Sequence, residues 1–245
     1  MGETEKKQRK AIGGFTDASS FGFSPRATGI ENAAALQEAV DQGGTVIVSA
    51  SGTYKIGAAV QLGSHTSLVF GNGVYLKKVE EQGPFAQVLI NKGALTKAYD
   101  EGIRVEGLHI IVNEVDNCSD LVLGLRGLVG FSYVKDLRIK GFRCYDLTGC
   151  QYGMQVSRFE DILIEDTIIK GQKDGIHLGP GRRFTIRDGV FQTFDDAIAL
   201  NGQDYSTSNP ELGWIEDGVI ENCYDLDQEE TVGYFCRMLA GGWID

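Results

Sequence analysis

The sequence predicts an all-β fold, a right-handed parallel β-helix (solenoid) with a short N-terminal capping helix. The first observation is a recurring block. Tyr152-Gly153-Met154-Gln155-Val156, Asp174-Gly175-Ile176-His177-Leu178 and Asp196-Ala197-Ile198-Ala199-Leu200 begin 22 residues apart. A fixed period of this size marks a stack of coils in which each repeat packs only on its neighbours. The second is that the intervening segments keep register, with Ile162 and Ile164 mapping onto Phe184 and Ile186. The third is that short β-branched runs separated by Gly, Asn and Asp fill the chain from about residue 45 onward, with no second helix evident. A leucine-rich repeat has a similar period but demands regularly spaced leucines followed by Asn, where this chain carries mixed Ile, Val and Phe.

Taken in order, the first ten residues are charged, and residues 1–14 are expected to form a flexible segment ahead of a single β-helix domain over 15–245. Thr28-Gly29-Ile30-Glu31 is a capping-box pattern, and the Ala-rich stretch after it, with Leu36 and Val40 four apart, predicts an amphipathic helix over about 30–41. It stops at Gly43-Gly44. A strand over 45–48 follows, then a turn at Gly52-Thr53-Tyr54 and strands at 67–70, 73–76, 103–105, 109–112 and 137–139. Within the repeat, Met154, Ile176 and Ile198 should form one inward ladder, and Val156, Leu178 and Leu200 another. Gln155, His177 and Ala199 then face outward. The spacing stretches to 25 from Ile139 to Ile164, with 147–150 as the insertion, and to 29 from Ile186 to Ile215, with the polar stretch 203–210 inserted. Loops projecting from one side of a solenoid commonly wall its binding face.

Composition narrows the function. With 33 Gly against 4 Pro and 42% hydrophobic residues, the chain reads as folded and turn-rich. The net charge of −11 argues against a nucleic-acid partner, which would need a basic footprint. No apolar run approaches the length of a membrane helix, and the first residues lack the apolar core of a signal peptide. The five cysteines (Cys118, Cys144, Cys150, Cys223, Cys236) have no paired zinc spacing; Cys144 and Cys150 are close enough in sequence to pair. Asp116, Asp120, Asp225, Asp227, Glu229 and Glu230 follow no calcium-ligand pattern and read as a solvated rim. Neither a metal site nor a cofactor is therefore expected.

The repeat also places carboxylates. Asp174 and Asp196 hold the same position in consecutive coils, so in-register stacking brings them roughly 5 Å apart, with Asp195 beside them. Such acids also serve as turn residues, since Asp-Gly is a turn signal. Lys173 lies 22 residues before Asp195 and can form a stacked ion pair with it. His177, beside the small Ala199, has space in front of it and reads either as a ligand contact or as an ordinary surface histidine.

Asp174-Gly175-Ile176-His177-Leu178, followed by Thr193-Phe194-Asp195-Asp196-Ala197-Ile198-Ala199-Leu200, resembles the pectin-lyase-like β-helices, and within them the polygalacturonases of glycoside hydrolase family 28. The stretch from Ala35 to Tyr54 is similar to that superfamily's cap helix and first coil. The resemblance implies an inverting hydrolase acting on a polysaccharide or oligosaccharide, uronate-containing in its type members, at an extracellular or periplasmic site. Asp195 would be the general acid, and Asp174 and Asp196 would hold the attacking water. Lys173, His177 and Gln155 are the candidate substrate contacts. The chain departs from the family pattern in three places. Asn-Thr-Asp reads Gln172-Lys173-Asp174; no histidine follows Asp196, where Gly-His-Gly is expected about one coil on; and Arg138-Ile139-Lys140 spells the Arg-Ile-Lys motif upstream of the acids. The alternatives are a polysaccharide lyase on the same fold, using calcium and Lys173 as base, and a non-catalytic glycan-binding or structural β-helix. Because the resembled enzymes continue for several more coils, the chain is expected to be truncated at its C-terminal end. Self-association is then expected through an open last coil exposing Trp243 and Ile244.

Overall fold

A computed structural model describes residues 14–115, 122, 124–203, 211–227 and 230–239. Residues 1–13, Asp116, Cys118, Asp120, the stretch 204–210, Glu229, Trp243 and Ile244 lie outside these. The described chain winds as a right-handed parallel β-helix with three faces, and every strand pairing is parallel. The first face holds Val60–Leu62, Leu89–Asn91, Ile176–Leu178, Ile198–Asn201 and Cys236–Leu239. The second holds Gly44–Val48, Thr66–Phe70, Arg104–Glu106 and Ile215–Glu221. The third holds Gly52–Ile56, Val74–Lys78, His109–Ile111, Arg143–Leu147 and Tyr224–Asp225. Tyr152–Gly171 runs across all three as one long bent strand.

The corners explain the bends. Asp136, Asp161, Arg183 and Asp217 occupy one stack of positive-φ positions, and Gly141, Asp166, Asp188 and Asn222 another. A left-handed residue redirects the strand onto the next face. Gly, Asp and Asn reach that region at the lowest cost, which is why the sequence is punctuated by them.

Packing follows the predicted ladders. Met154, Ile176 and Ile198 are each fully buried and in register, continuing a column from Val60, Leu89 and Val129. The 22-residue offset pairs Ile162 with Phe184 and Ile164 with Ile186, and the 25-residue offset pairs Ile139 with Ile164. Outside, charges alternate between coils: Lys140, Glu165, Arg187 and Glu221 lie in one row, with Arg187 Nη2 2.6 Å from Glu165. Exposed pairs of this kind contribute little stability each, but opposite charges directly across strands favour this register over a slipped one.

The N-terminal helix is Gly29–Val40, one residue earlier than expected, with the capping box formed: Thr28 Oγ1 accepts from Glu31 N at 3.2 Å and Glu31 Oε2 accepts from Thr28 N at 2.8 Å. It lays Leu36, Ala39 and Val40 into the core.

Several expectations are corrected. A second helix, Lys92–Thr96, exists; at five residues it is too short to show helical periodicity. Gly52-Thr53-Tyr54 opens a strand rather than a turn, and Tyr54 is buried with its ring stacked on Phe23 at 4.6 Å. Beyond the polar insertion, Ile186 pairs with Ile220 and not Ile215, an offset of 34 instead of 29, because Ile215 enters the face opposite Gly181. Cys144 is a buried free thiol, its pKa pushed up to about 12 by burial, and Cys150 is disulfide-bonded, so Cys144 and Cys150 do not pair.

Candidate functional site

The acids meet at the corner between the third and first faces. Gly171 ends the third-face strand, and the turn Gln172-Lys173-Asp174 leads into Ile176–Leu178; one coil later Phe194-Asp195-Asp196 leads into Ile198–Asn201. Ladder hydrogen bonds hold the two turns in register: Gly153 N donates to Asp174 O and Gly175 N to Asp196 O, each at 2.9 Å. One carboxylate oxygen from each of Asp174, Asp195 and Asp196 lies within 4.8 Å of the other two. Asp174 and Asp196 are buried, whereas Asp195 keeps 19% of its side chain exposed.

Each carboxylate faces its own base. Lys173 Nζ pairs with Asp195 Oδ2, as the one-coil spacing anticipated; His177 Nδ1 lies 2.8 Å from Asp174 Oδ2; and Arg237 Nη1 lies 3.5 Å from Asp196 Oδ2. Three acids this close form a cation-binding geometry in outline, but the Lys173 and Arg237 cations already offset part of the charge, and His177 engages Asp174. Asp196 Oδ1 also accepts from Tyr234 N at 2.9 Å. Burial, followed by the like charges of Asp174 and Asp195, still holds the Asp196 pKa above the ordinary carboxylate value, against the opposing Tyr234 N–H and Arg237.

That shift has a stability consequence. An acid whose folded pKa is raised costs the fold nothing below the unfolded value of 3.8 and costs it progressively as pH rises through the folded value. Asp196→Asn is therefore expected to raise the melting temperature at pH 7, with the gain fading as pH falls towards 3.8. Melting curves of the two proteins across this range check the sign.

The outward-facing residues point as their alternation placed them but are not exposed. Gln155 and His177 point away from the interior, yet both are fully buried, as is Ala199. The segment before Gly127 covers Gln155, whose Oε1 accepts from Arg126 N at 2.5 Å. His177 is covered by the Tyr152 ring, parallel to it at 4.3 Å. Neither presents a surface to a sugar. Lys173, with 27% of its side chain exposed, does.

The sequence reading missed Arg237 and Tyr234. Arg237 pairs with Ala199 across a 38-residue offset, long enough to break the 22-residue pattern that revealed the other coils. Tyr234 sits one coil past Asp196, its carbonyl accepting from Ala197 N, and this coil carries Gly233-Tyr234-Phe235 and no histidine. Beside the acids on the third face is a cavity of about 510 Å³ lined by Lys170, Gln172, Gln192, Phe194, Asp227 and Glu230. Gln172 and Phe194 belong to the two acidic turns themselves.

No family model and no curated protein matches the chain. Solved structures do. A family 28 exopolygalacturonase of Yersinia enterocolitica aligns over 94% of this chain and 53% of its own, at a TM-score of 0.68 and 15% identity. A candidate glycosyl hydrolase from Parabacteroides merdae aligns over 87% of this chain and 98% of its own, at 0.64 and 14%. The tailspike of the E. coli bacteriophage HK620, solved with a pentasaccharide, aligns over 90% of this chain and 52% of its own, at 0.50 and 12%. The chain thus spans about half the length of the exopolygalacturonase and of the tailspike. With parallel pairing throughout, a capped first coil and these neighbours, its fold is that of the pectin-lyase-like right-handed parallel β-helices.

Proposed function

We propose that the chain is a glycan hydrolase of polygalacturonase type, cleaving glycosidic bonds with inversion. The observation that carries this reading is the carboxylate triplet within 4.8 Å, set in a corner flanked by a cavity and made of one exposed and two buried acids. Glycoside hydrolysis needs one protonated and one ionised carboxyl, and clustered acids share protons unequally. Burial holds the Asp196 pKa above the ordinary carboxylate value, while Asp195, the exposed member, is placed to deliver a proton to the leaving oxygen.

The separation is closer to the roughly 5–5.5 Å of retaining enzymes than to the roughly 6.5–9.5 Å of inverting ones. Burial supports inversion. Asp174 and Asp196 are too enclosed to attack an anomeric carbon, but they can hold a water that does. Lys173 and Arg237, the latter with 38% of its side chain exposed, are the cations available to a uronate carboxylate.

A second reading, glycan binding without cleavage, is favoured by the coil past Asp196 carrying Tyr234 and no histidine. One assay separates the readings. Incubation with polygalacturonate and a panel of plant polysaccharides should generate reducing ends without ultraviolet-absorbing unsaturated ends, and NMR of the first product should show the inverted anomer. Unsaturated ends would instead establish a lyase. Binding without new ends would establish the second reading, and a retained anomer would reject the water-holding role of Asp174 and Asp196.

A further inference from the structure

We infer that His177 is a positioning residue that locks Asp174 as the water-holding carboxylate, an inference that rests on the hydrolase reading above. His177 lies at the centre of Ile176–Leu178 on the outer side of the first face, in a row with Gly130, Gln155, Ala199 and Arg237. An imidazole there would ordinarily be solvated. Instead it is enclosed on three sides: the Tyr152 ring lies parallel at 4.3 Å, Asp174 Oδ2 is 2.8 Å from Nδ1, and Asn201 Nδ2 is 3.5 Å from Nε2.

Burying a polar ring costs free energy unless its nitrogens are matched, and these partners match one tautomer. Nδ1–H donates to the Asp174 carboxylate, and the Nε2 lone pair faces the Asn201 amide. A donor aimed at a buried carboxylate satisfies one of its oxygens and selects one rotamer. A group holding the attacking water needs that fixed orientation. With its side chain 1% exposed, His177 acts through Asp174 and not on the sugar. The arrangement matches a base oriented by a third group, as in nucleophile–base–orienter constellations, with the histidine here as the orienter. The spacing of three between Asp174 and His177 is part of the repeating block, while Tyr152 is supplied by the preceding coil and Asn201 by the following one.

The test compares His177→Phe, which keeps a ring against Tyr152 but removes the donor, with His177→Asn, whose amide can replace the Nδ1–H. Steady-state kinetics on the most active polysaccharide should show kcat falling on the order of 10²-fold in His177→Phe, the scale expected when a reacting group is displaced, with KM unchanged and most of kcat restored in His177→Asn. An unchanged kcat in a folded His177→Phe protein would overturn the proposal, as would a loss confined to KM. A readout independent of activity uses the imidazole NMR signals. With only His65, His109 and His177 in the chain, the His177 Nδ1 proton is assignable by substitution. It should resonate strongly downfield in the native protein and lose that shift in Asp174→Ala. Its absence from the native protein would refute the Asp174 contact. If the native protein cleaves no glycan, the hydrolase reading falls, and the NMR result then decides the Asp174–His177 coupling separately.

Discussion

Asp195→Asn is expected to reduce glycan hydrolysis by about 10²–10⁴-fold, the contribution of a general acid or base, while leaving the melting temperature nearly unchanged. The side chain is partly exposed and pairs with Lys173, so the fold loses a pair worth little at a surface. Asp174→Asn should abolish activity to a similar degree, because an amide no longer supplies the charge that activates water. Stability should again change little, since the amide oxygen can still accept from His177. Chelator should leave the rate unchanged, because the Lys173 and Arg237 cations sit on Asp195 and Asp196, and His177 on Asp174, where a metal ion would bind. Rate measurements with and without chelator, alongside thermal melts, check all three statements. Activity that survives Asp195→Asn would reject its assignment as the acid, and activity lost to chelator would point to a metal-dependent lyase.

Gly175→Ala is expected to damage both fold and site. A Cβ on Gly175 would lie 2.6 Å from Ala197 O and 2.8 Å from Phe191 Cδ1. The Ala197 carbonyl belongs to the ladder of the next coil, so it cannot yield without separating the coils, and overpacking of this kind costs about 1–3 kcal/mol. Because Gly175 N also donates to Asp196 O, the same displacement pulls Asp174 away from Asp196. The variant should therefore melt earlier and lose activity even at temperatures where it remains folded. Thermal melts with rates measured well below the transition test this. A variant as stable and active as the parent would show that the coils can spread at no cost to the acids. Gly175 is thus needed for the close approach of two coils, whereas Asp-Gly in the sequence suggested only a turn.

How legible the molecule was depended on distance along the chain. The period of 22, the inward columns and the stacking of Asp174 on Asp196 were readable because each is a relation between consecutive coils, and parallel in-register pairing turns sequence spacing directly into spatial neighbourhood. The capping box was readable for the same reason, being complete within four residues. Alternation along the strand correctly turned Gln155 and His177 away from the core, but it could not say what lay over them. That was decided by the segment carrying Arg126 and by the ring of Tyr152, contributed from 29 and 25 residues away. The insertion after Asn201 hid the last coil by stretching its offset to 38, so the Tyr234 backbone contact and the Arg237 partner of Asp196 emerged only once the chain was wound. Local order specified which acids gather. Only the packing of distant loops and the coil carrying Tyr234 and Arg237 determined which of them are buried, which base each one faces, and which side of the site is open to solvent.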